Sequence, residues 1–361
     1  MRMWQLSNFT PFPVIAGFER DAQGHSHYLV TISASFRIDA AGRAWFDADQ
    51  PPPLQSPLFL GNDPEGLMIA DADQGLPHPG IDILLAADAL LAPAEPRRRL
   101  SLRLAGMQRD LDLLAPMQRD RRGHARLLDP GPAPAPVPLD WRSSWGGAGV
   151  AENPLGTGAA GTEGEALPRL TATDAALMPG QPVPPALNPV SFSPLPRAWP
   201  QRARLAGTFD TGWQRRKAPL LPDDYDPRFG HAAQPAQVHP GPLPDGAEVE
   251  LTGMQTPAGD APWRFRLPAP AFRLAIFHMG GWTRRDAVLQ RIVIDARTGR
   301  LRMVWRGGFT LARIADDVRL RETQIHLARA QGYAVLAPDA AAYHRFAPDP
   351  TQSPQPQEMP V

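Results

Sequence analysis

Apolar and polar residues alternate with a period of two along much of this chain, the pattern of half-buried strands. The clearest run is His27 to Asp39, where Tyr28, Val30, Ile32, Ala34, Phe36 and Ile38 share one face and Thr31, Ser33, Ser35 and Arg37 the other. Ala40-Ala41-Gly42 then turns the chain into a return strand over Arg43 to Phe46. Ile81 to Leu91 reads as a further strand, and Arg99 to Leu104 and Arg109 to Leu114 as a hairpin about Gly106-Met107. Strand patterning resumes at 248–251, 263–267, 272–278, 288–295 and 301–305. The Asp295 to Arg300 loop closes a hairpin, because Gly299 can take a positive φ. A helix is expected over Ile314 to Ala330, although its apolar positions make no clean stripe.

Between these strand-rich parts the pattern lapses. From Pro130 to Pro189 prolines and glycines are too dense for a long strand or helix. Leu195 to Gly230 follows, crowded with Trp199, Trp213, Tyr225 and Phe229 among arginines and aspartates, and without apolar periodicity. It reads as a long ordered loop, of the kind that is functional when it is not disordered. The expected fold is therefore mainly β. It has an antiparallel sandwich or open barrel-like core, a long Pro/Gly-rich irregular insertion and a C-terminal helix. Residues 1–130 and 246–312 supply the two β parts of the core, 131–245 the loop-rich insertion, 313–337 the helix and 338–361 a disordered tail. The alternative is two small β domains joined by a loop-rich bridge.

Composition narrows the function classes. Among 361 residues, 37 basic and 37 acidic side chains give a formal charge of zero, so no global field draws in nucleic acid or an anionic membrane. With no cysteine, disulfides, thiol catalysis and thiolate metal sites are excluded. The first residues lack an uninterrupted apolar core of the signal-peptide kind, and no run approaches the ~20 residues of a spanning helix, so a cytoplasmic protein is expected.

Candidate chemistry is sparse. Gly156 to Gly161 spells G-x-G-x-x-G, but neither a delivering strand nor a following helix is predicted, so a flexible glycine loop is the expectation. His25 and His27 lie on one side of an extended segment without a visible third metal ligand, and His231 and His239 lack a carboxylate at helical spacing. Asp223, Asp224 and Asp226 stand beside Arg215, Arg216, Lys217 and Arg228, and ion pairing that pins the loop is their simplest role. A pair of such carboxylates could also act as acid and base on a glycan. No G-x-S-x-G, H-E-x-x-H or Walker sequence occurs, and no catalytic residue, metal or cofactor is implied.

The run W-x-x-R-x-x-x-A-G-T-F-D-x-x-W from Trp199 to Trp213, followed by P-L-L-P-D-D-Y-D, resembles the signature of the bacterial family known as domain of unknown function 2169. Asn8 to Phe12, Trp145-Gly146-Gly147 and Asn153-Pro154-Leu155-Gly156 match the same family in order and spacing. The resemblance implies an adaptor or chaperone for toxic effectors of type VI secretion. Its partners would be the secreted effector and the VgrG-type spike or PAAR-type tip. The signature positions, structural or partner-binding, are Trp145, Gly146, Gly147, Asn153, Pro154, Gly156, Trp199, Arg202, Gly207, Thr208, Phe209, Asp210, Trp213, Pro222, Asp224, Tyr225 and Asp226. Two other readings stay open: a carbohydrate-active hydrolase using Asp224 and Asp226, and a structural component of the secretion apparatus.

Overall fold

The computed structural model describes residues 5–129, 135–311 and 320–329. In chain order, β1 is Gln5–Asn8, β2 Val14–Arg20, β3 Ser26–Ile38, β4 Ala44–Phe46, β5 Ile81–Ala86, β6 Arg97–Leu104 and β7 Met107–Leu114. Then come β8 Leu170–Ala172, β9 Val238–His239, β10 Glu248–Thr252, β11 Trp263–Arg266 and β12 Ala271–His278. The last four are β13 Gly281–Asp286, β14 Val288–Asp295, β15 Arg300–Leu311 and β16 Leu320–Arg329. The α-helices among the described residues are two short ones, α1 Pro200–Ala203 and α2 Thr211–Arg216.

Three sheets dominate, and none closes into a barrel. The largest runs β9-β5-β14-β15-β3-β2, with β4 paired to the far end of β3. A second runs β8-β7-β6-β10-β11, and a third β1-β16-β12-β13. Most neighbours are antiparallel, but β5 runs parallel to β14, and β1 parallel to β16. Strands from both ends of the chain share each sheet: β3 pairs along its length with β15, and β6 pairs with β10.

One face of β3 enters a large apolar core through Tyr28, Val30, Ile32, Ala34, Phe36 and Ile38, as the alternation predicts. Leu100, Leu102 and Leu104 of β6 and Ile292 and Ile294 of β14 close on it, with Phe12 wedged among Phe36, Phe46 and Phe272. The opposite face of β3 is covered as well. Ser33 Oγ donates to the Pro51 carbonyl, and Gln50 brackets Ser35 by accepting from its N–H and donating to its carbonyl.

The expected C-terminal helix is replaced by a strand. Within Ile314 to Ala330, the described residues 320–329 form β16, between β1 and β12. Thr323 and Ile325 are buried while His326 is exposed, a period of two that overrides the helix-compatible composition. The expected tail, 338–361, lies outside the described residues. The stretch from 135 to 190 carries strands of only two or three residues and a 3-10 turn at Trp141–Ser143. No helix of the described residues is long and apolar enough to cross a membrane, a statement that does not extend to the strands.

Candidate functional site

The loop from Leu195 to Gly230 is fixed from beneath by Arg202. Its guanidinium donates from Nε to the Phe229 carbonyl at 2.8 Å, from Nη1 to the Leu195 carbonyl at 2.9 Å and from Nη2 to Asp71 Oδ2 at 2.6 Å. Both side chains are buried, and Arg197 donates to the second oxygen of Asp71 at 3.0 Å. A planar five-donor group is needed here: three acceptors lie in three directions, which a lysine cannot serve together. The Phe229 ring lies against both guanidiniums, 5.4 Å from Arg202 and 5.9 Å from Arg197.

The acidic residues of the loop brace turns. Asp210 caps α2 by accepting from the Trp213 N–H, and Asp226 caps a turn of 3-10 helix at Pro227–Gly230 while pairing with Arg228. Asp224 accepts from both the N–H and the hydroxyl of Thr208, at 2.9 and 2.7 Å. Gly207 directly precedes Thr208 with φ +86°, and a Cβ there would meet Pro222 at 2.7 Å. The Thr208 hydrogen bonds hold the Asp224 carboxyl below its usual range, and the Arg228 bonds do the same for Asp226. Both are therefore kept ionised, whereas a glycosidase general acid needs a raised value. Asp223 pairs with Lys217, whose ammonium also reaches the Ala22 carbonyl.

The second group of signature residues forms a tight crossing. Asn153 is buried, and its Nδ2 donates to the Trp141 and Trp145 carbonyls at 2.8 Å each. Gly147 N–H returns to the Asn153 carbonyl at 2.9 Å. A Cβ on Gly146 would fall 2.1 Å from that carbonyl oxygen, and one on Gly156 2.5 Å from the amide of Asn153. Pro154 follows Asn153 in the bend, and the Trp145 ring packs among Leu114, Met117 and Leu167. Gly146→Ala is expected to cost about 1–3 kcal/mol, as overpacking against backbone does. A chemical-denaturation midpoint matching the wild type would contradict this crossing. The G-x-G-x-x-G stretch has no helix behind it, and its Ala160 and Gly161 amides already donate to the Glu165 carboxylate.

Among the mostly polar residues that the loop turns outward, one large ring stands out. Phe209 is 53% exposed and packs edge-on to Trp213, with centroids 4.8 Å apart, while Trp213 Nε1 anchors to the Leu220 carbonyl. Tyr225 and Phe229 make a similar edge contact, and Trp199 is buried against Trp141. Elsewhere an open groove of about 670 Å³ runs between the 240–246 and 267–271 segments, lined by Pro242, Leu243, Pro268, Leu289, Met303 and Trp305.

Beneath the loop, the polar face of the large sheet carries a layer of buried charge that sequence reading missed. Arg291 of β14 lies beside Asp82 of β5 and also reaches Asp71 and Asp73. Arg302 pairs with Asp73, and Arg306 donates to the Asp73 and Leu76 carbonyls. Asp82 accepts from His231 Nδ1 at 2.7 Å and from the Ala232 N–H at 2.8 Å. Burial alone would raise its carboxyl, but the His231 bond and Arg291 outweigh it and hold it below the usual range. His78 packs against His231 with centroids 4.3 Å apart, and burial pushes its imidazole down to about 3, so the ring is neutral. The other histidine pair, His25 and His27, converges on Asp21 at the β2–β3 turn. Burial there works against the charge, but the His27 and His25 hydrogen bonds hold Asp21 at about 2.

Residues 23–306 match the family model described as an uncharacterized protein conserved in bacteria, DUF2169. The chain belongs to the DUF2169 family. No curated protein and no solved structure matches it. The stretch matched by the DUF2169 model contains both groups of signature residues and the charge layer beneath them. Most of the signature side chains are bracing groups in this fold, and Phe209 is the large apolar one among them that is exposed.

Proposed function

We propose that this DUF2169 chain is a non-catalytic, cytoplasmic adaptor or chaperone. It would bind an effector of type VI secretion and help load it onto a VgrG-type spike or PAAR-type tip. The observation that carries this reading is the division of labour within the signature loop. Arg202 is pinned inward on Asp71, Asp210 and Asp224 are engaged as caps at the surface, and an aromatic ledge, Phe209 on Trp213, faces outward beside them. An exposed ring on a loop held rigid from below loses little entropy when a partner covers it, and aromatic anchors of this kind dominate binding energy. The proline-lined groove adds an apolar trough in which a partner's extended segment could lie.

The test is recovery of the full chain from its native host, with partners identified by mass spectrometry. Wild type should bring down a toxin-like protein together with spike components in fixed ratio. Phe209→Asp should lower that recovery at least tenfold, and Asp224→Asn should leave it unchanged. Equal recovery by wild type and Phe209→Asp would remove the ledge from the reading. Glycan turnover lost on Asp224→Asn would replace the reading with a hydrolase.

A further inference from the structure

We propose that His78, Asp82 and His231 form a binding site for a divalent transition cation of the zinc class, and that the cation fastens the end of the signature loop to the large sheet. Each of the three offers one ligand atom, and these atoms lie within 4.8 Å of one another. His231 Nδ1 is 2.7 Å from Asp82 Oδ1, and His78 Nε2 is 3.9 Å from Asp82 Oδ2. These separations bracket the ~3.3 Å between neighbouring ligand atoms of a tetrahedral site with bonds near 2.05 Å.

A second, independent observation points to a ligand. The His78 side chain is fully buried, yet neither of its ring nitrogens has a hydrogen-bond partner. A buried polar group left unsatisfied costs about 1–3 kcal/mol, so one that persists calls for an explanation. His78 is held with its face toward His231 and its Nε2 toward Asp82, while its backbone N–H is tied to Gln290 Oε1. Two imidazoles and one carboxylate are a donor set that suits zinc and its neighbours over magnesium or calcium. Arg291, the nearest arginine to Asp82, is shared among Asp71, Asp73 and Asp82.

The ligands also explain a local constraint. A Cβ on Gly230 would lie 2.9 Å from His78 Cδ2, so the loop end can pass over the imidazole only as glycine. His231 follows immediately, and its partners His78 and Asp82 come from the turn before β5 and from β5 itself. A cation here would join the exit of the signature loop to the sheet, and its binding energy would add to folding. Three protein ligands leave a fourth position for water.

The experiment uses the full chain, stripped with a chelator and titrated with Zn²⁺ by calorimetry and by competition with a chromophoric chelator. One equivalent is expected to bind, with a rise in melting temperature. His78→Gln and His231→Gln should each weaken binding at least tenfold, whereas the double variant His25→Gln/His27→Gln should bind as wild type does. Where a core variant fails to fold, Co²⁺ on the wild-type chain decides: a tetrahedral visible spectrum, bleached by Zn²⁺, supports the site. No uptake, uptake lost only in the His25/His27 variant, or an octahedral Co²⁺ spectrum would each overturn it.

Discussion

Arg202→Met should destabilise the chain by about 3–5 kcal/mol, the range found when one partner of a buried ion pair is removed. The carboxylate of Asp71 would keep Arg197, but its buried partner at 2.6 Å would be gone. The carbonyls of Leu195 and Phe229 would also lose their shared donor. Arg202→Lys should recover little of this, because one ammonium cannot face all three acceptors. The double change Arg202→Met/Asp71→Leu should recover more than half, since it removes the stranded charge with its partner. Urea unfolding measures all three, and a loss below about 1 kcal/mol for Arg202→Met would show that the pin bears no weight.

The same pair predicts a pH dependence. Burial opposes charge on Asp71, but Arg202, Arg291 and Arg197 outweigh it and hold the carboxyl below its usual range. A carboxyl with a depressed folded value contributes stability fully above its unfolded value, about 3.9, and loses that contribution as the pH falls through the folded value. Wild-type stability should therefore fall more steeply below about pH 4 than that of Arg202→Met/Asp71→Leu.

Trp141→Ala should cost a similar amount, about 3–5 kcal/mol, as truncation of a fully buried large ring does. The ring packs edge-on to Trp199 at 5.0 Å, and its Nε1 donates to the Pro194 carbonyl at 2.7 Å. Its own carbonyl receives Asn153 Nδ2, so the two groups of signature residues meet at this tryptophan. Trp141→Phe should cost less, about 1–3 kcal/mol, by stranding the Pro194 carbonyl while retaining most of the ring volume. Hydrogen exchange should show amide protection lost at both 145–156 and 195–205 in Trp141→Ala. Loss confined to one segment would mean that the two groups are held independently.

Much of this fold was legible because a strand with one buried face writes its period into the sequence. The expected strand over 27–39 and the expected hairpins over 99–114 and 288–305 fall within or nearly within the observed strands, because alternation and glycines at turns mark them. The C-terminal segment misled because its polar residues suit a helix as well as a strand, and only pairing with β1 and β12 decides between them. The braced character of the signature loop could also be read from its charge, aromatics and prolines. The His78, Asp82 and His231 cluster could not. Asp82 interrupts an apolar run that reads as a core strand, and its partner His231 is 149 residues away. Only the return of the loop across the sheet brings His231 to Asp82 and His78.

The long strand β3 also sets the order in which the molecule can assemble. Its long neighbour β15 and the hydroxyl that meets Tyr28, on Thr323, come from the far end of the chain, the latter 295 residues on. At ~5–20 residues per second of synthesis, the apolar face of β3 waits on the order of 15–60 s for those partners to leave the ribosome. A nascent chain of this kind exposes its stickiest strand longest, and such distant pairings make for slow folding. Its yield in a cell should therefore depend on translation speed and chaperone supply as much as on the final free energy.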